Sequence, residues 1–117
     1  MTKHTLVMKT PDFFMLRDYL VQKRQQGVFD NNKLLMDFYK AFAVEAYIEL
    51  PRKVKNLNGN CVVIFYLENN HRLITEIGLF CKEQIAELKS SNPELSYALN
   101  VLKNYMASSL MDFDWRK

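Results

Sequence analysis

The chain has 117 residues, a net charge of +3, 49% apolar residues and 25% charged residues. These are ordinary globular values, so disorder and fibrous repeats are excluded, and residues 1–117 read as a single domain with no room for a second sizeable core. The longest apolar run, Cys61–Leu67, has seven residues against the roughly 20 of a membrane helix, and residues 1–9 lack the apolar stretch of a secretory signal. The chain therefore reads as cytoplasmic, with no membrane partner.

Residues 3–9 read as a short strand or an ordered arm. Thr10-Pro11-Asp12 reads as a helix start: Thr10 can cap, Pro11 suits the first turn, and Asp12 favours the positive end of the dipole. Phe13, Leu16 and Leu20 repeat at helical spacing, and Gly27 can end the helix in a left-handed conformation, which predicts a helix over 11–26. Asp30 or Asn31 can cap a second helix. Leu35, Phe38, Phe42, Ala46 and Leu50 form one of its faces, with Leu34, Ala41 and Ile48 beside it. Pro51 should stop it, so the expected range is 31–49.

Asn58-Gly59 is a hairpin turn signal, because both residues tolerate positive φ. Cys61–Leu67 is rich in β-branched and aromatic residues and does not alternate, so it reads as a strand buried on both faces. Residues 52–57 would be its basic edge partner. Asn69-Asn70 breaks the run. Leu73, Ile77, Phe80, Cys81, Ile85 and Leu88 then give a helix over 70–89, weakened at Gly78. Asn92-Pro93-Glu94 starts a last helix. Its stripe, Leu95, Leu99, Leu102, Met106, Leu110 and Phe113, suits packing inside the same domain. The expected fold is α+β and predominantly helical: about four helices with a short β-hairpin or small sheet around residues 52–67. An all-α bundle is the alternative.

Chemistry leaves few marks. There is no glycine-rich phosphate loop, no His-Glu-x-x-His and no Cys-x-x-Cys, so neither a cofactor nor a metal site is expected. His4 and His71 read as surface or cap-region residues. Cys61 and Cys81 sit in apolar segments and read as free, core-filling thiols. The carboxylates Glu76, Glu83 and Glu87 form the one local acidic cluster, on what reads as a solvated helix face. No catalytic residue is nominated, and the chain is not expected to be an enzyme.

Eight Phe, six Tyr and six Met exceed what a helical domain of this size must bury, and such side chains are enriched in interface centres. The expectation is a module that binds one protein partner. The favoured kind is an immunity- or antitoxin-type inhibitor that covers the active or partner-binding site of a toxin, a nuclease or another enzyme. The acidic C-terminal half supplies the candidate contacts: Glu76, Glu83, Glu87, Asp112 and Asp114, with Tyr105, Phe113 and Trp115 as aromatic anchors. The alternative is a small accessory protein that binds nucleic acid through the basic patch Arg52, Lys53 and Lys55.

Overall fold

The computed structural model describes residues 1–49 and 59–115, with side chains as far as Ser109. Four helices accompany a three-stranded antiparallel sheet of order β1-β3-β2, and the first and last of them pack on it. The strands are β1 (Thr2–Lys9), β2 (Tyr47–Glu49) and β3 (Asn60–Leu67). The class is thus the α+β, mostly helical one expected, and strand β3 excludes the all-α alternative.

β1 alternates strictly: His4, Leu6 and Met8 are buried, while Lys3, Thr5, Val7 and Lys9 are exposed. Its register sets His4 opposite Phe65, Leu6 opposite Val63 and Met8 opposite Cys61, so these six side chains line the covered face. β3 is therefore not enclosed alike on both sides. Its outward residues are Val62, half-buried, Ile64, buried, and Tyr66, exposed.

Helix α1 (Thr10–Gln25) starts straight out of β1. Thr10 does not cap it. Thr10 is already helical, its N–H donates to the Gly59 carbonyl at 3.0 Å, and the N-cap Lys9 makes no side-chain cap bond. The other end is as expected. Gly27, at φ 80°, closes a Schellman motif in which Gly27 N–H donates to Arg24 O and Val28 N–H to Lys23 O.

The second helix departs from expectation at both ends. Its cap is Asn32, whose side chain accepts from Leu35 N–H, and neither Asp30 nor Asn31. Helix α2 (Lys33–Tyr39) passes into a π-helical turn, Lys40–Val44, whose wider pitch shows in the bond from Glu45 N–H to Lys40 O. The chain is out of the helix before Pro51, and Tyr47-Ile48-Glu49 pairs with β3 instead. Tyr and Ile suit a pleated surface, and β3 offers a free edge whose hydrogen bonds the segment takes up. Glu49 pairs with Val62, whereas a two-residue turn at Asn58-Gly59 would join Leu57 to Asn60. Gly59 does adopt positive φ, 83°. The expected edge strand 52–57, with Arg52, Lys53 and Lys55, lies outside the described residues.

Helix α3 (His71–Leu88) is capped by Asn70, which accepts from the N–H groups of Arg72 and Leu73. A short loop leads to α4 (Pro93–Trp115), where the Asn92 side chain accepts from Leu95 N–H. α3 and α4 form the most extensive helix pair. Leu95, Leu99, Leu102 and Met106 are all buried there, so this part of the stripe packs within its own domain, and the side chains of Leu110 and Phe113 lie outside the described ones. Phe13, Phe38, Phe42 and Phe65 meet ring to ring between the sheet and the helices, with neighbouring centroids 5.3–5.7 Å apart.

Candidate functional site

The side of the sheet turned away from the helices carries an apolar and aromatic surface. Alternation and register place it. Thr5, Ile64 and Tyr47 form one row across the strands, Val7, Val62 and Glu49 a second, and Lys3 faces Tyr66. Val7 is 53% exposed, Tyr47 46% and Tyr66 44%. The two tyrosines hydrogen-bond through their side chains. That bond, with burial and the Tyr66 and Glu49 charges behind it, raises the Tyr47 pKa. The two rings stand as flat, amphipathic contact groups on this face. Lys3 and Lys9 stand on the β1 edge and Glu49 on the β2 edge.

The acidic candidates fall elsewhere. Glu83 and Glu87 are exposed on α3, and the Glu87 charge acts on Tyr19 of α1, so this stripe borders α1 and not the sheet face. Glu76 is half-buried and accepts from the Asn32 amide at 3.3 Å. Tyr105 belongs to the inner side of the sheet, where its hydroxyl bonds His4 Nδ1 at 3.0 Å and its ring meets Phe65. The fold therefore keeps Tyr105 apart from the glutamates. Asp112, Phe113, Asp114 and Trp115 continue the α4 backbone, and their side chains lie outside the described ones.

The histidine and the two thiols of the core are sealed. His4 is 3% exposed rather than on the surface, and is stacked on Phe65 at 5.0 Å. Burial pushes its pKa down, against a smaller opposing pull from the Leu67 backbone. Alternation along β1 is the signal that could have found it, since His4 keeps step with Leu6 and Met8. Cys61 and Cys81 are free and fully buried. Burial pushes the Cys81 thiol up to about 12, with Lys103 opposing. His71 stands exposed at the start of α3.

Two concavities carry charge. One of about 430 Å³ is lined by Lys9, Asp12, Glu94 and Tyr97, and one of about 260 Å³ by Lys33, Asp37, Lys40, Glu45 and Glu68 among others. Each mixes both signs and neither contains a histidine or cysteine. Among the described residues no cluster of three or more His, Cys, Asp or Glu could hold a metal ion, and no helix is long and apolar enough to cross a membrane. Comparison of the chain with family models, curated proteins and solved structures gives no match.

Proposed function

We propose that this chain is a cytoplasmic protein-binding module of the immunity or antitoxin type, a non-enzyme that neutralises a toxin or an enzyme by lying across its active or partner-binding site. The observation that supports the reading is the gathering of Val7, Tyr47 and Tyr66, each about half exposed, on the sheet face turned away from the helices. Exposed aromatics with a polar rim are the composition of an interface centre, and tyrosine loses little conformational freedom when a partner covers it. The rim lysines, Lys3 and Lys9, favour an acidic border on the partner and steer its approach.

Size constrains the mechanism. At about 3.4 Å per residue and 4.8 Å between strands, the sheet face offers about 300 Å². A stable complex needs about 800 Å² per partner. The contact must therefore extend past the strands, so the partner is a folded surface and not a single side-chain hook.

Affinity capture with the intact chain tests the reading, with the retained species identified as protein or nucleic acid. The expected result is a single protein, held nearly as well at high salt as at low. The Tyr47→Ala/Tyr66→Ala double variant should bind it at least about 30-fold more weakly, the loss of one hot spot of about 2 kcal/mol. Turnover of a small molecule by the purified chain would sink the proposal.

One observation favours a second reading. Two half-exposed tyrosines beside two lysines on one sheet face also suit stacked bases and a phosphate backbone. Recovery of nucleic acid that dissociates steeply as salt rises would select that reading.

A further inference from the structure

Helices α3 and α4 run antiparallel, and a shallow groove of about 240 Å³ lies between them. Ile74, Thr75, Gly78 and Leu79 form one wall, and Ala107 stands on the other. Gly78 is the informative residue. Glycine weakens a helix interior, and a fold normally retains it for a positive φ or a close internal contact. Gly78 has neither: its φ is not positive, and a Cβ built there meets nothing within 4 Å. The missing side chain leaves a notch open to the outside, beside a leucine that is 50% exposed.

The charge of the rim is one-sided. Lys82 and Lys103 both border the groove, and among the described residues none that lines it is acidic and neither lysine makes an ion pair. A channel between two antiparallel helices has the shape that a third helix fills, with its ridge of side chains set into the groove. We infer that this groove is a second docking surface, which receives an amphipathic helix of a protein partner whose apolar ridge crosses at Gly78 and whose acidic flanks meet Lys82 and Lys103. The inference stands on residues other than those of the sheet face and does not need that face to bind anything.

The test titrates the full chain into a fluorescent, end-blocked peptide of about 18 residues, long enough to be helical by itself. Its ridge is Leu and Ala and its flanks are Glu. A twin peptide carries Lys in place of each Glu. The acidic peptide should bind at least about tenfold more tightly than its twin. Lys82→Glu with Lys103→Glu should reverse that preference. Gly78→Leu should weaken binding at least about tenfold, and Gly78→Ala less so, while both variants keep the melting temperature of the parent or raise it. The Tyr47→Ala/Tyr66→Ala variant should bind the peptide as the parent does.

Equal binding of both peptides, binding of neither, or unchanged binding by Gly78→Leu would overturn the inference. A parent dimer in sedimentation that Gly78→Leu converts to monomer would overturn it too, because the occupant would then be a second copy of this chain.

Discussion

His4 shows how one position can be polar in the sequence and part of the core in the fold. Its ring packs between Phe65 and Tyr105, and only one of its nitrogens has a described partner: Nδ1 meets the Tyr105 hydroxyl, while Nε2 is buried and unpaired. An imidazolium there would bring a second N–H into an apolar site, and an unpaired buried charge is costly. The folded pKa lies below the unfolded one, so the unfolded chain takes up the proton first. Stability should thus be independent of this group above about pH 6.5, fall as pH drops below that value, and level off below the folded pKa. Urea unfolding at pH 7.5 and pH 5 should show a smaller loss for His4→Phe than for the parent. Equal losses would mean that His4 is hydrated.

At the scale of elements, the helix starts follow one local device used three times. Asn32, Asn70 and Asn92 each accept from backbone N–H groups of the following turn. The cap at Asn92 was legible in the sequence, whereas Asn70 read only as part of a break and as the first residue of the helix that it in fact caps. Asn32 was harder to single out, because Asp30, Asn31 and Asn32 all have the right chemistry and only the backbone path chooses among them. Packing outweighs capping in magnitude. Leu99→Ala, in the fully buried α3–α4 seam, should cost about 2–5 kcal/mol, and Asn70→Ala about 1 kcal/mol. Denaturant midpoints of the two variants check the order, and a larger loss for Asn70→Ala would show that the seam can collapse around the missing leucine.

The end of the second helix was the poorest sequence reading, for an identifiable reason. Phe38, Phe42, Ala46 and Leu50 keep helical spacing through the point where the helix stops. Periodicity records that a residue is apolar on one side, and Ile48 satisfies that condition as a strand residue packed on the core. The π-helical turn and the free edge of β3 decide the matter, and both depend on partners distant in sequence.

At the scale of the whole molecule, sheet and helices share one core, and both thiols are inside it. Cys61 on β3 and Cys81 on α3 are fully buried, and burial raises the Cys81 pKa further. An aromatic disulfide reagent at pH 8 should therefore label neither in the native state except through opening. Near the urea midpoint both should react together, at the rate of global unfolding. Fast labelling of one thiol in native buffer would reveal a locally opening helix or strand. Tyr47 and Tyr66 on the outer sheet face and the α3–α4 groove lie outside this core, so substitutions there should change binding and leave the unfolding transition nearly in place.

The order of amino acids by itself determined the class of the fold, the start of α3 and α4, the left-handed stop at Gly27 and the strand after Gly59. Each of these rests on forces within a few residues: capping, φ preference and the period of apolar side chains. Only the tertiary structure decided the pairing of β1 with β3, the burial of His4, the separation of Tyr105 from the α3 glutamates and the gathering of Val7, Tyr47 and Tyr66 on one face. The strand outcomes depend on sheet register, since a shift of one residue would send every side chain of a strand to its other side, and the place of Tyr105 depends on which face α4 turns to the sheet.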